Sequence, residues 1–291
     1  MCGRYAAAAS TADLVEEFDI DEDRTEEEAR SLLKNPQTPP AGTPDYNMAP
    51  NKLAPVVLAR PVRATDEAYA TGGAHPVRQL RLLSWGLVPS WSQDPGGSRR
   101  MINARVETVT STNAFARSVR LRRCLVPATG WYEWQVSPTE RDAKGKPRKQ
   151  PFFVHRGDGL SCAFAGIYDF WRDPAVADAR DPMAWLVSFS VLTMAAEPGL
   201  DRIHDRQPLV LDRDRWGRWL DPEITDPVEI TALTSSLVLG RFAAYPVGRA
   251  VSNNRASGAP LIEPADPAEL LGVVDPATGE ILDGSGGAHG R

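Results

Sequence analysis

The chain has 291 residues, 42% hydrophobic and 24% charged, the balance of an ordinary globular protein with enough length for one large core or two small ones. A net charge of −5 argues weakly against nucleic acid as a partner; no apolar run approaches the ~20 residues of a membrane helix, and the opening MCGRYAAAAS is too weakly apolar for a secretion signal. Three widely spaced cysteines, Cys2, Cys124 and Cys162, fit a reducing cytoplasm and neither a disulfide framework nor a zinc site.

In chain order, Ser10 to Asp13 carry the capping residues of a helix whose apolar stripe is Leu14, Val15 and Phe18. Residues 35–46 are a proline-rich connection. A strand is expected at Leu53–Arg60, a long polar loop at 61–78, and a strand at Leu80–Val88. Met101–Val109 reads as extended, and 112–120 as a short helix. Cys124–Ala128 and Trp131–Val136 read as strands, with Cys124 and Cys162 as core thiols. The charged stretch 137–149 reads as a mobile hairpin insertion. Strands follow at Phe152–His155, Ser161–Phe170 and Trp185–Leu192, with a polar loop at 172–183. Asp212 is placed to cap a helix carrying Trp216 and Trp219, and Thr225 and Asp226 to start another near 226–237. Phe242–Ala250 reads as the last strand and 283–291 as a disordered tail.

There is no repeat and no βαβ rhythm. The pattern predicts an α+β fold: an antiparallel, barrel-like β core with peripheral helices and long irregular loops. Between Arg99 and Arg123 stand seven arginines and one acid, Glu107. Such a run gives either a basic face on an acidic protein or a solvated helix face.

Five stretches carry chemical possibilities. At the start, Cys2 follows the initiator methionine directly. Removal of Met1 would leave an α-amine, ordinary pKa about 7.7–8.0, beside a thiol, about 8.5. Such a 1,2-aminothiol attacks an aldehyde twice, first as a Schiff base and then by thiol closure to a thiazolidine. Gly3 lets the backbone bend towards a substrate, and Arg4 supplies a cation suited to phosphate. On its own the terminus reads more readily as frayed and the cysteine as incidental.

The second stretch is Trp85 to Trp91. Trp85 reads as core, whereas Trp91, beyond Pro89, is placed to stack on an unpaired base. In the third, Asn103, Arg105 and Glu107 share one strand face, poor core material unless solvated or lining a site. In the fourth, Glu133 lies between Trp131-Tyr132 and Trp134. Desolvation there would raise its pKa and suit it to general acid–base work, the alternative being a carboxylate facing solvent. The fifth is Ile203 to Leu211. Of four histidines, His204 has the best context for proton transfer, although a lone histidine is commonly structural. No metal-ligand spacing surrounds it, and no phosphate-binding glycine loop or nucleophile elbow is present.

Taken in order, MCGR at the start, YNMAP at 46–50, WGLVPSW at 85–91, INARVET at 102–108, GWYEW at 130–134 and IHDRQPLVL at 203–211 resemble the SRAP (SOS response-associated peptidase) family, with LIEP at 261–264 fitting its end. The resemblance implies a single domain over 1–264, followed by a C-terminal extension at 265–291. It implies a monomer that needs no cofactor or metal, binds single-stranded DNA and crosslinks to abasic sites. By the same resemblance Cys2 is the covalent nucleophile and Asn103 positions it and the opened sugar. Glu133 is the general acid/base, assisted by His204. Arg4 and Arg105 hold phosphates, Trp91 shapes the DNA path and Thr193 lines the pocket. Ser92 stands where family members can carry a second aromatic, and insertions at 63–77, 137–149 and 172–183 vary in length across the family. These departures bear on DNA junction preference.

Three functions compete: covalent shielding of abasic sites with possible lyase behaviour, a thiol or N-terminal-nucleophile peptidase acting on itself or on peptides, and a noncovalent single-strand binder.

Overall fold

The computed structural model describes residues 2–61, 76–235 and 240–284. Its strands are β1 (Tyr5–Ala7), β2 (Glu22–Asp23), β3 (Asp45–Met48), β4 (Leu53–Arg60), β5 (Val77–Trp85), β6 (Asn103–Arg105), β7 (Arg123–Ala128), β8 (Gly130–Arg141), β9 (Pro147–Arg156), β10 (Cys162–Arg172), β11 (Trp185–Ala195), β12 (Arg206–Pro208) and β13 (Phe242–Pro246). The helices among the described residues are short: α1 (Thr11–Glu17), α2 (Ala116–Leu121), α3 (Arg213–Leu220) and α4 (Pro227–Leu233).

Strands β5, β4, β7, β10 and β11 pair antiparallel in that order. β11 then meets β5 in parallel, at Ser188↔Ser84 and Phe189↔Trp85, and this contact closes a five-stranded barrel. A second, antiparallel sheet runs β13-β9-β8-β1-β3. The fold is therefore α+β with a barrel-like core, but the pairing is mixed rather than wholly antiparallel. The parallel contacts join β11 to β5 and β6, and β2 to β5. A parallel pairing needs a long connection and leaves no hairpin signal in the sequence. Past the rim, the chain after β12 wedges between β10 and β11. There Leu209 donates its N–H to Leu192 O and accepts one from Ala165, both at 2.8 Å.

The barrel interior is filled by aromatic rings. Tyr5 packs edge-on to Trp85 and Phe164, with centroids 5.0 and 5.8 Å apart, and Trp85 stacks on Phe189. Such pairs add ~0.5–1.5 kcal/mol each beyond simple burial. Cys124 and Cys162 are buried in this cluster. Outside the barrel, Phe18 of the α1 end stacks on Trp216 of α3 with centroids 4.4 Å apart. The Trp219 indole donates to Cys124 O at 2.8 Å, tying α3 to β7. α1 begins with a full capping box between Ser10 and Asp13.

Several elements differ from the sequence reading. β5 runs Val77–Trp85, three residues earlier than expected at each end, and β13 stops at Pro246. Only Asn103–Arg105 of the stretch 101–109 is strand, and α2 starts at Ala116 rather than 112. The stretch 137–149 is an ordered hairpin. The ladder runs on through Val136↔Lys149 to Arg141↔Pro147, and Asp142 Oδ1 accepts the N–H groups of Lys144 and Lys146, closing the turn. Asp212 stands at the N-cap of α3 without capping it. Its carboxylate is taken by Arg156 and Arg241, and charge-assisted bonds win over a neutral cap. The arginine run splits. Arg123 is buried and donates to the carbonyls of Val119, Arg120, Trp219 and Asp221; Arg122 pairs with Asp169; Arg105 and Arg117 face outwards. Met1, most of the loop at 61–78 with His75, residues 236–237 at the end of the expected second helix, and most of the tail with His289 lie outside the described residues.

Candidate functional site

The site is assembled where β1 enters the second sheet. Tyr5 pairs with Trp131 and with Met48, so the residues before it are drawn down between β8 and β3. On the other side of β8, Gly130 lets that strand lie close against β9. A Cβ there would lie 2.4 Å from Val154 O and 2.6 Å from the Phe153 ring.

Cys2 is fully buried and held from two sides. Asn103 Nδ2 donates to Cys2 O at 2.7 Å, and the thiol lies 3.8 Å from Arg4 O. Asn103 is itself fixed by β6, which pairs in parallel with β11 at Val191. Its side-chain oxygen is buried with no hydrogen-bond partner among the described residues.

β8 supplies the carboxyl. Trp131, Glu133, Gln135 and Ser137 alternate with Tyr132, Trp134 and Val136, so the odd positions share one face. Glu133 is only 4% exposed. Burial, with the negative charge of Asp205 adding to it, pushes its carboxyl up to about 8. Burial likewise raises the Cys2 thiol well above the ordinary thiol value, and the charge of Glu133 raises it further. The two acids are therefore close enough to influence each other, and near neutrality both favour their neutral forms.

His204 follows the short 3₁₀ turn Leu200–Arg202 and is half-buried. Its Nδ1 lies 3.1 Å from the backbone N–H of Arg206 and 2.9 Å from Asp205 Oδ1. The neutral ring accepts from the first, and the protonated ring donates to the second. Burial lowers the imidazole pKa, against the pull of Asp205.

Thr193 is buried where three strands cross, opposite Arg105 of β6 and Pro208 of β12. Its carbonyl accepts from Val106 N at 3.0 Å and from the Arg206 guanidinium at 2.5 Å. Glu107 lies beyond the end of β6. Arg206 grips it with two bonds, at 2.6 and 2.9 Å, and so ties β6 to the chain just after His204.

Cys2, Asn103, Glu133 and His204 thus converge, and Thr193 lies on β11 two residues beyond Val191, the strand partner of Asn103. Arg105 is exposed at the end of β6. Trp91 is 61% exposed on a strap held by two bonds: Ser90 N donates to Asp169 at 2.9 Å, and the Trp171 indole donates to Ser92 O at 2.7 Å. Trp85, by contrast, is core. Arg4 has internal commitments, donating through Nη1 to Asn47 Oδ1 at 2.7 Å and to Val251 O at 3.1 Å. Asn47, Gln135 and Arg206 were given no role by the sequence reading. Their one sequence signal is the polar residue at alternate positions of an otherwise apolar strand, as in Glu133-x-Gln135-x-Ser137. A cavity of about 600 Å³, lined by Leu58, Leu83, Phe170, Trp185 and Val187 among others, opens elsewhere on the barrel and includes none of the site residues.

Fold and site together define a closed mixed barrel with a thiol, a neutral buried carboxyl and an imidazole gathered beside the N-terminus. The model of the family described as SOS response associated peptidase (SRAP) matches residues 1–254, and the chain belongs to that family. Among curated relatives, abasic site processing protein YedK of Escherichia coli is 31% identical, over 91% of this chain and 100% of its own length. Abasic site processing protein YoqW of Bacillus subtilis is 28% identical, over 90% of this chain and 99% of its own. Abasic site processing protein HMCES of Xenopus tropicalis is 29% identical, over 73% of this chain and 63% of its own. Among solved structures, a Bacteroides thetaiotaomicron protein superposes with a TM-score of 0.64 at 19% identity, covering 91% of this chain and 100% of that one.

Proposed function

We propose that this protein recognises abasic sites in single-stranded DNA and captures the ring-opened sugar covalently on Cys2, after removal of Met1. The observation that carries the reading is the buried meeting of Cys2, Asn103 and Glu133, with His204 at its edge. The free α-amine adds to the sugar aldehyde, and loss of water gives an imine. The thiol then adds to the imine carbon, a C–S bond forms, and the thiol proton passes to nitrogen. The net change is loss of one water, and the product is a thiazolidine.

Each neighbour has a part in this sequence. Glu133, protonated near neutrality, donates a proton to the departing hydroxyl and recovers it later. His204 carries protons to and from the sugar as its ring opens. The unfilled Asn103 oxygen accepts from a sugar hydroxyl or from the amine. Arg105 meets a phosphate, and Trp91 offers a stacking face. The raised thiol pKa speaks against the peptidase reading, because a thiolate nucleophile needs a lowered one.

The test is incubation with an abasic single-stranded oligonucleotide, followed by a denaturing gel. A heat-resistant shifted band that requires Cys2, from protein whose intact mass lacks Met1, is expected. A band formed equally well by a Met1-retaining preparation would overturn the thiazolidine route, since an acylated amine forms no imine.

A further inference from the structure

The C-terminal segment beyond the family match is built as a small hairpin. Val274 bridges to Ile281, the Gly272 N–H donates to Leu282 O, the Leu282 N–H donates to Val273 O, and Asp275 Oδ1 caps the turn by accepting from Ala277 and Thr278. It docks on the face of β8 that carries Glu133. Gln135 bonds Val274 through both ends of its amide, at 2.7 and 2.8 Å, and Ser137 donates to Gly272 O at 2.6 Å. Val273 is buried in the same apolar cluster as Leu200 and Ile203, residues of the turn that leads into His204.

The hairpin also holds that turn by polar contacts. Arg202 Nη1 donates to Pro276 O at 2.6 Å and to Ala277 O at 3.1 Å, and Gln135 Nε2 also reaches Arg202 O at 3.2 Å. The His204 N–H donates to Leu200 O at 3.0 Å within the same turn. On the far side Arg206 is locked to Glu107. His204 therefore sits between two anchors two residues away on either side, one on the C-terminal hairpin and one on the end of β6.

We infer that the C-terminal hairpin, residues 272–282, is a positioning element of the site: through Arg202 and Gln135 it sets His204 against the β8 face that bears Glu133. The inference rests on the role given to His204 above, and it makes Arg202 a positioning residue that touches no substrate. Misplacing a proton-transfer group by about 1 Å costs up to ~100-fold in rate. Release of one of two anchors is expected to cost about tenfold.

Two variants release the hairpin without touching Cys2, Asn103, Glu133 or His204. Arg202 is exposed, so Arg202→Ala removes the latch with little burial lost. Gly272→Ala lifts the hairpin itself, because a Cβ there would lie 2.3 Å from Glu140 Cγ and 2.9 Å from Ser137 Oγ. Three readouts are taken on the full chain: the crosslinking rate at saturating abasic oligonucleotide, the affinity for intact single strands, and the His204 ring resonances by NMR. Both variants are expected to slow the saturated rate about tenfold, leave affinity within twofold and move or broaden the His204 signals, with Arg202→Lys recovering part of each effect. A slower rate with unmoved His204 signals would overturn the positioning role, as would moved signals with an unchanged rate. The NMR arm reads the hairpin's hold on His204 even in a protein that forms no crosslink. Failure of the covalent reading is thus distinguishable from failure of this one.

Discussion

Replacing Glu133 by Gln removes an ionisable group from the buried part of the site while keeping its size and most of its hydrogen bonding. The carboxyl is pushed from an ordinary value of 4.5 to about 8, chiefly by burial. At about 1.4 kcal/mol per pH unit, ionising it in the folded protein costs ~5 kcal/mol more than in the unfolded chain. Between those two values the folded state binds more protons than the unfolded state, so stability falls as pH rises through that window. The glutamine variant carries no such term. Its stability relative to the parent should therefore climb by ~4 kcal/mol from pH 5 to pH 8.5. Urea unfolding of both proteins at the two pH values, followed by tryptophan fluorescence, measures the difference directly. Groups remote from Glu133 titrate alike in parent and variant and cancel in the comparison. A stability difference that stays flat across this range would refute the claim that Glu133 is held neutral by burial. The same variant should crosslink about 100-fold more slowly at saturating DNA, the usual loss for a missing general acid, while binding intact strands normally.

Cys2→Ser keeps the α-amine and loses the thiol, so an imine trappable by borohydride, or strand cleavage, should replace the stable adduct; an unchanged heat-resistant band would remove the thiol from the mechanism. Arg105→Ala should weaken binding to intact and abasic strands alike and lower the salt slope by about 0.7 in log–log terms, read by anisotropy across a salt series; its crosslinking defect should vanish at saturation, and a persistent one would contradict a phosphate role. Asn47→Ala strips Arg4 of its 2.7 Å partner and leaves Asn253 O and Ala256 O without their donor; a loss of roughly 2–4 kcal/mol in denaturant unfolding is expected, and a loss below ~0.5 kcal/mol would show that the network is slack.

The parts of this protein that were legible in its sequence are those whose chemistry is local. Glu133 could be expected to be buried because aromatics at 131, 132 and 134 mark a strand covered on both faces, and it is buried. Trp85 and Trp91 could be told apart because Pro89, which no central strand accommodates, lies between them. α1 announced itself through Ser10 and Asp13, two residues three apart that form their own cap. What was not legible depends on partners far away in the chain. The parallel contact of β11 with β5 closes the barrel but leaves no periodicity behind. Asp212 fits the pattern of a helix cap, yet Arg156 and Arg241 take its carboxylate. Arg4 suits a phosphate by type, but part of its guanidinium serves Asn47 and Val251, and the arginine run lost Arg122 and Arg123 to internal bonds. Charge read along a chain gives the number of cations and not their occupancy.

The same burial that makes the site readable also orders its chemistry. A buried thiol with a pKa raised well above its ordinary value is a poor first nucleophile at neutral pH. The α-amine freed by loss of Met1, with an ordinary pKa of about 7.7–8.0, is partly unprotonated there. On the proposed route the amine therefore attacks first, and the neutral thiol is suited to the second step, where its proton has a destination on the imine nitrogen. A carboxyl near pKa 8 fits between these steps, because it can give a proton to the leaving hydroxyl and regain one without being driven far from balance. Raising the pH past 8 would free more amine but strip the proton from Glu133. The saturated crosslinking rate should then pass through a maximum near pH 8 and fall above it, and Glu133→Gln should lose the falling limb. A rate in the parent that keeps rising to pH 10 would assign the acid step to another group.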